Sequence, residues 1–221
     1  MTLKPRVVYI NGTAVPHQIE LCNALQMYVD AEFWFYGGVG KTFAWREIPL
    51  GEHCRILPHV FFKNGDTRYL AFSHLKMLAA YNPEVVILGG FSVPGNMIAY
   101  LWAKRHGKKV IVFTERSRDK NGNLRKYAGC WRLLRWFYRN VDRVMVSAPD
   151  VKEQFANEFR FGDRVIVGQY ANLIDGYFQH RIRAVRPDLR FIFPNRLTDI
   201  YNPLMAIEIF NKALSFIPRA T

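Results

Sequence analysis

Residues 84–90 read EVVILGG, and residues 109–114 read KVIVFT. Each is a short run of apolar, mostly β-branched residues that ends in small or polar residues, which is typical of a strand buried on both faces. Between them, residues 93–107 (VPGNMIAYLWAKRHG) have the length and the apolar spacing of a helix. A strand, a helix and a second strand in this order predict a βαβ unit with parallel strands.

The same alternation continues toward both ends of the chain. We predict further strands at residues 6–11, 31–36, 143–147 and 164–168, and further helices at residues 15–29, 67–81, about 123–140 and 151–159. The stretch between residues 36 and 67 is predicted to be irregular. This order predicts the α/β class, with a doubly wound, Rossmann-like parallel sheet that helices cover on both faces.

The chain is rich in apolar side chains and carries an excess of positive charge. Half of its 221 residues are hydrophobic and 15% are aromatic, so we expect a substantial core rather than disorder. Its 31 Lys and Arg against 18 Asp and Glu give a net charge of +13, which favours an anionic partner: nucleic acid, an acidic membrane surface or a phosphorylated ligand. Because the basic residues form none of the usual nucleic-acid-reading motifs, we expect no nucleic acid partner.

The three cysteines, Cys22, Cys54 and Cys130, are odd in number and widely spaced, which argues against a zinc site and a disulfide framework. The dinucleotide fingerprint G-x-G-x-x-G is absent after the first strand, so we expect neither a metal nor a cofactor. The apolar run before Asn11 is too short for a secretory signal, and no run reaches the roughly 18 residues of a spanning helix. We therefore expect a cytoplasmic protein, either soluble or peripheral on the cytoplasmic face of a membrane.

Residues 35–45, FYGGVGKTFAW, raise the question of a nucleotide-driven ATPase. Gly40, Lys41 and Thr42 match the end of G-x-x-x-x-G-K-[ST], in which backbone N–H groups and the lysine hold phosphates. Phe35, however, stands at the first glycine position, and the residues that follow do not predict the helix that a phosphate-binding loop needs. We interpret the segment as a glycine-rich exit from a strand.

Ligands of doubly wound folds bind at the carboxyl ends of the strands. The residues predicted at these ends are Asn11, Gly12, Thr13, Gly89, Gly90, Phe91, Ser92, Thr114, Glu115, Arg116, Ser117 and Ser147. Gly12 permits a phosphate to approach the backbone at a helix N-terminus, and its alternative interpretation is a plain turn residue. Glu115 is placed to accept hydrogen bonds from hydroxyls or to orient a base, but Glu115 and Arg116 equally suit a cap or a surface ion pair. The six histidines are scattered, and we expect each to be structural.

Three segments in the second half of the chain carry a family resemblance. After a basic helix, residues 140–147 resemble the pattern aD-x-v-i-x-x-S, and residues 172–178 resemble N-g-v-D-x-x-x-F through Asn172, Leu173, Ile174, Asp175 and Phe178, each with one residue fewer before the last position. Residues 195–197 stand where G-R-L-x-x-x-K is expected. With these motifs in this order, nearly the whole chain resembles the family 4 (group 1) glycosyltransferases, which have the GT-B fold.

The resemblance implies a retaining glycosyltransferase of the hexosyltransferase type. It would transfer a sugar from a UDP or GDP nucleotide sugar to a glycan or lipid-linked acceptor in polysaccharide or glycoconjugate biosynthesis. Arg196 resembles the arginine that grips the donor diphosphate with its planar guanidinium, and Gly12 and Thr13 would assist it. Asn195 and Tyr201 depart from the glycine and the lysine of the family pattern. The implied acceptor-binding residues are Gly89, Gly90, Ser92, Glu115 and Arg116. Glu115 is also the catalytic candidate, because it lies near where many relatives keep a histidine.

The end of the chain is shorter than the family pattern implies. We predict an acceptor-side domain over residues 1–186, with a linker at about 176–187. Residues 187–221 are predicted to form only the first strand (189–193) and the first helix (203–216) of a donor-binding domain. We therefore expect a truncated form of the enzyme. That helix would expose side chains whose burial is worth roughly 1.5–3 kcal/mol each, namely Leu204, Ile207, Ile209, Phe210 and Leu214. We expect a homodimer or a partner chain to cover them. The alternative function is a non-catalytic remnant or subunit that binds acceptor or membrane and needs a partner for the donor half.

The helix predicted at about residues 124–143 separates apolar from basic residues. Arg132, Arg135 and Arg139 gather on one side with Trp136 beside them, which suits an anionic membrane surface where lipid-linked acceptors reside. The alternative is a core-facing helix with a solvated basic face.

Overall fold

The computed structural model describes residues 4–37, 50–58, 62–64, 68–114, 131–159, 161–168 and 203–216. The chain divides into two compact units, Met1–Leu173 and Ile174–Thr221. The predicted linker at 176–187 and the predicted strand at 189–193 lie outside the described residues, and the predicted domain boundary at residue 186 stays a prediction.

Most of the described strands belong to one parallel sheet. The strands are β1 (Arg6–Thr13), β2 (Asp30–Gly37), β3 (Cys54–Ile56), β4 (Phe62–Asn64), β5 (Arg68–Leu70), β6 (Val85–Gly89), β7 (Lys109–Thr114), β8 (Arg143–Val146) and β9 (Val165–Val167). Within the described ranges, seven of them pair in parallel in the order β3-β2-β1-β6-β7-β8-β9, and β4 and β5 form a separate antiparallel pair. The first strand, β1, therefore lies inside the sheet, with β2 and β3 added on one side and β6 to β9 added on the other.

Helices cover the two faces of the sheet with separate cores. The described helices are α1 (Pro16–Leu25), α2 (Ser73–Tyr81), α3 (Pro94–Arg105), α4 (Trp131–Arg139), α5 (Pro149–Phe159) and, in the second unit, α6 (Pro203–Leu214). Val8 and Ile10 of β1 join residues of α2, α3, α4 and α5 in the larger core, whereas Tyr9 joins Ile19 and Cys22 of α1 in the smaller one. Because successive residues of a strand point to opposite faces, a sheet buried on both faces reads as an unbroken apolar run.

The predicted fold class is confirmed by this sheet and its flanking helices. The strand predicted at residues 109–114 has the predicted bounds, and those predicted at 31–36, 84–90 and 164–168 differ by one residue at both ends. The strand predicted at 143–147 ends one residue earlier, and β1 extends two residues beyond the predicted 6–11. The helix predicted at residues 15–29 ends at Leu25, and the described part of the helix predicted at 123–140 is α4.

The helix predicted at residues 67–81 is wrong in its first part. Arg68–Leu70 is strand β5, and α2 begins only at Ser73. Tyr69 is almost completely buried and stacks on Tyr36, with the ring centroids 5.7 Å apart, so a distant contact decides its conformation. β3 and β4 lie in the stretch predicted to be irregular, because a strand of three residues is too short to show a period.

Asp142 ties the start of β8 to the start of β7. Its Oδ2 accepts a hydrogen bond from the Val110 N–H at 2.9 Å, and its own N–H donates to the Val110 carbonyl oxygen at 2.9 Å. Lys109 Nζ and Lys104 Nζ lie 3.2 and 3.5 Å from its carboxylate oxygens. Partial burial raises the pKa of the Asp142 carboxyl, but the Val110 N–H and the two lysines outweigh burial and lower that pKa below its usual value. The charged form of Asp142 therefore stabilises the folded state.

Asp142→Asn keeps the shape of the side chain and removes its charge. We expect the free energy of unfolding to fall by about 1 kcal/mol at neutral pH, since solvent screens the two partly exposed lysine pairs. Because the folded-state pKa is lowered, the contribution of Asp142 is present above the unfolded-state pKa and is lost as the pH falls through the folded-state pKa. Urea unfolding of both proteins should show a difference at neutral pH that closes in acid. A difference that does not change with pH would contradict the role of the charge.

Candidate functional site

The strand order reverses between β1 and β6, and a ligand crevice opens at such a reversal in doubly wound sheets. β1 and β6 pair in parallel with Ile10 opposite Leu88, so their carboxyl ends lie side by side. The structure thereby brings together the β1 terminus (Asn11–Thr13) and the β6 loop (Gly89–Ser92), two of the segments that the sequence predicts to hold ligand.

Asn11 connects the β1 terminus to the β6 loop. Its Oδ1 accepts a hydrogen bond from the Gly12 N–H at 2.7 Å, and its Nδ2 donates to the Tyr9 hydroxyl at 3.3 Å. The same side chain lies against Gly89, where an added Cβ atom would overlap Asn11 Oδ1. Position 89 therefore requires glycine because another side chain already occupies the space.

A buried amide holds the β6 loop in place. Asn96, in the first turn of α3, is completely buried and donates through Nδ2 to the carbonyl oxygen of Gly90 at 2.8 Å. Gly90 has a φ of +78°, in the left-handed region that favours glycine. The hydrogen bond and the positive φ together turn the chain from β6 into α3.

A layer of aromatic rings lies beneath the crevice. The hydroxyls of Tyr69 and Thr13 are 3.3 Å apart, which links β5 to the β1 terminus. Tyr69 stacks on Tyr36, and the Tyr36 hydroxyl lies so close to Gly95 that an added Cβ atom there would overlap it. The rings of Tyr36 and His74 meet edge to face with centroids 5.7 Å apart. The layer thus contacts the β1 terminus through Thr13 and the start of α3 through Gly95.

Tyr36 and His74 of the aromatic layer carry no charge at neutral pH. Burial lowers the pKa of His74 to about 4, which the nearby Gly95 backbone opposes only weakly, and burial raises the pKa of Tyr36 above its usual value. Both groups are therefore neutral in the folded protein. Any charge on a ligand in the crevice must be met by groups other than these two.

The helices that begin at the crevice start without a side-chain cap. Val15 precedes α1 and Val93 precedes α3, each helix has proline in its first turn, and neither has an acidic residue there. A helix N-terminus carries a partial positive charge, which an acidic or hydroxyl cap would usually offset. The two starts therefore add positive potential at the place where the β1 terminus and the β6 loop meet.

The residues predicted for the site fall into two groups. Gly12 and Gly90 are buried, Thr13 and Gly89 are partly buried and Ser92 is exposed, and all five lie in the β1 terminus or the β6 loop. The other predicted positions, Glu115, Arg116, Arg196 and the GKT of the glycine-rich segment, lie outside the described residues. Their roles stay predictions.

Helix α4 has a buried aromatic side and an exposed side. Phe137 and Tyr138 are buried, and the Phe137 ring lies with its centroid 4.9 Å from both Phe91 and Tyr100. The opposite side exposes Trp136 and Leu133, each 49% accessible.

The arginines predicted to face a membrane differ in exposure. Arg132 and Arg139 are exposed, whereas Arg135 is partly buried and has its Nε atom shielded from solvent. We name the exposed side of α4 (Arg132, Leu133, Trp136, Arg139) the α4 surface.

Several residues that shape the crevice are absent from the sequence prediction, above all Tyr36, Tyr69 and Asn96. Asn96 left a signal, because an asparagine inside a helix next to Pro94 and Gly95 competes with the backbone for hydrogen bonds and suits a loop contact. Tyr36 and Tyr69 left none, since their contact joins strands that are far apart in sequence.

Within the ranges that the structure describes, no cluster of three His, Cys, Asp or Glu side chains could bind a metal ion. None of the described helices has the length and apolar character needed to cross a bilayer.

A protein-family model matches the part of the chain that carries most of this site. The model, described as Glycosyltransferase Family 4, covers residues 17–167, from the first turn of α1 to the end of β9. The β6 loop, α3 and α4 lie within the match, and the β1 terminus lies just before it. No curated protein matches the chain.

Asn96→Ala removes the amide that holds the β6 loop. We expect the free energy of unfolding to fall by about 1–3 kcal/mol, because the buried Gly90 carbonyl loses its partner. The matched control is Asn140→Ala, since Asn140 Nδ2 makes the same kind of bond to the Trp136 carbonyl oxygen at 2.7 Å but in an exposed position. Its effect should stay within about 0.5 kcal/mol in the same urea titration. Equal losses in the two variants would mean that burial of the Asn96 bond is unimportant.

Proposed function

The chain belongs to glycosyltransferase family 4, and from that premise we propose that it transfers a sugar from a UDP or GDP nucleotide sugar to a glycan or lipid-linked acceptor. The family resemblance inferred from the motifs between residues 140 and 197 is confirmed by the match over residues 17–167. The observation that carries the proposal is the crevice at the reversal of strand order, where the β1 terminus meets the β6 loop.

The donor diphosphate would lie at the β1 terminus. A glycine at position 12 lets phosphate oxygens approach the backbone, and the start of α1 contributes positive potential. The Thr13 hydroxyl can accept a hydrogen bond from Tyr69 while it donates its own proton to a phosphate oxygen. The family resemblance assigns Arg196 to the donor diphosphate, and its guanidinium would stabilise the charge that develops as the sugar leaves.

The acceptor would lie across the β6 loop and the end of β7. Ser92 exposes its hydroxyl beside the crevice, and the Tyr138 hydroxyl donates to Thr114 Oγ1 at 3.1 Å at the last residue of β7. Glu115 and Arg116 follow directly in sequence. A carboxylate at this edge would accept hydrogen bonds from sugar hydroxyls, as proposed for Glu115.

Helix α6 supports a second candidate, a non-catalytic chain that binds acceptor or membrane and associates with a second copy or a partner chain. Leu204, Ile207 and Ile209 are 70%, 55% and 61% exposed. Covering three such side chains is worth roughly 1.5–3 kcal/mol each, which a second copy or a partner chain would supply. Turnover by the isolated chain separates this candidate from the enzyme.

We expect Thr13→Val to weaken binding of UDP or GDP, whichever the chain takes. Losing one hydrogen bond to a charged phosphate should raise the dissociation constant roughly tenfold in isothermal titration calorimetry. Thr114→Val is the matched control, since Thr114 also ends a central strand and also contacts a tyrosine hydroxyl, yet lies on the acceptor side. Equal affinities of Thr13→Val and the unmodified chain would argue against donor binding at the β1 terminus. If the unmodified chain binds neither nucleotide, the non-catalytic candidate is favoured.

The α4 surface is the part of the chain that we propose to rest on an anionic membrane. Its two exposed arginines would meet lipid phosphates, and its half-exposed Trp136 and Leu133 would enter the interface between headgroups and acyl chains. A lipid-linked acceptor would then reach the crevice from the membrane.

Replacing Arg132 and Arg139 with Gln should weaken binding to vesicles that contain anionic phospholipid. At about 1 kcal/mol for each basic residue, we expect a loss of roughly 30-fold in the partition coefficient measured by sedimentation. The control variant carries Lys76→Gln and Lys152→Gln, which remove the same charge from exposed positions on α2 and α5. Equal losses in the two double variants would show that net charge, and not the α4 surface, causes binding.

A further inference from the structure

Two cysteine thiols contact each other where α1 packs on the edge of the sheet. Cys22 of α1 is fully buried and Cys54 of β3 is 6% exposed, and both belong to the core on the α1 side. The two thiols lie within hydrogen-bonding reach of each other. Cys22 Sγ also lies 3.6 Å from the carbonyl oxygen of His53, the residue before Cys54. The two sulfur atoms are therefore neighbours, although 32 positions separate them in sequence.

We infer that Cys22 and Cys54 form a reversible disulfide in the folded protein when a peroxide is present, and that this bond restrains α1. The contact between the sulfurs supplies the geometry. The bond would restrain α1 close to the crevice, because α1 begins at Pro16, directly after Val15 and shortly after the β1 terminus.

Cys54 is the thiol that reacts first. The interaction with the Cys22 thiol lowers the pKa of Cys54, and a backbone hydrogen bond with Gly51 lowers it further, although burial opposes both effects. The pKa of Cys22 is raised. The Cys54 thiolate attacks the peroxide O–O bond, forms a sulfenic acid and releases hydroxide. The Cys22 sulfur then attacks the sulfenic sulfur and expels a second hydroxide, and the two thiol protons convert both hydroxides to water. Two thiols are oxidised by two electrons and one peroxide is reduced.

A small oxidant can reach this pair through the edge of the sheet. β3 is an edge strand of three residues, and the two residues after Cys54, Arg55 and Ile56, are exposed. Short edge strands open locally more easily than central strands do. A bond between the two sulfurs would join α1 covalently to β3 and so restrain α1.

Peroxide treatment of the folded chain, followed by digestion without reductant and mass spectrometry, tests the inference. The number of free thiols should fall from three to one, and a peptide pair joined through Cys22 and Cys54 should appear and disappear again on reduction. Hydrogen exchange should slow for amides of residues 12–25, and the midpoint of thermal unfolding should rise because the bond closes a loop. Cys130→Ala is the control, in which the number of free thiols should fall from two to none and every other change should remain.

Cys54→Ala should abolish the joined peptide. Should that variant fail to fold, the joined peptide in Cys130→Ala decides by itself. Retention of all three thiols after peroxide treatment, joining only through Cys130, or joining only between chains would overturn the inference. A joined peptide without any change in the hydrogen exchange of residues 12–25 would also overturn the inference.

Discussion

The parallel pairing of β1 with β6 is the constraint on which the rest of the unit depends. Val7 to Ile10 stand opposite Val85 to Leu88 at the centre of the sheet, and the chain leaves the two strands in opposite directions. Because the connections diverge, neither covers the carboxyl ends of these strands. The starts of α1 and α3, the β1 terminus and the β6 loop therefore border one crevice. A glycosyltransferase needs a crevice in which a sugar donor and an acceptor can bind.

Several of the described groups that build the crevice carry no charge. Asn96 holds the β6 loop, Tyr69 contacts Thr13 and Tyr36 contacts Gly95, and neither Tyr36 nor His74 is charged at neutral pH. Burying a charge costs desolvation free energy that an ion pair must offset. Neutral hydrogen-bonding groups position a loop without that large cost. Exposed arginines such as those on α4 contribute instead to the net charge of +13, which acts at the surface.

Two helices combine a packing role with a second role on another side. The buried side of α4 places Phe137 against Phe91 and so supports the β6 loop, while its exposed side carries arginine and tryptophan. In the same way α1 covers the smaller core and also brings Cys22 to Cys54. Each helix therefore has one side in a core and another side that makes separate contacts.

The sequence alone determined the fold class and the position of the crevice-forming segments. A strand buried on both faces is a local apolar run, and the small residues that end it, Gly12 and Gly89 among them, lie within the same few positions. The tertiary structure alone decided that Tyr69 is in a strand and stacks on Tyr36, and that Cys22 meets Cys54. Such contacts join residues that only the order of the strands brings together, and a local pattern contains no information about that order.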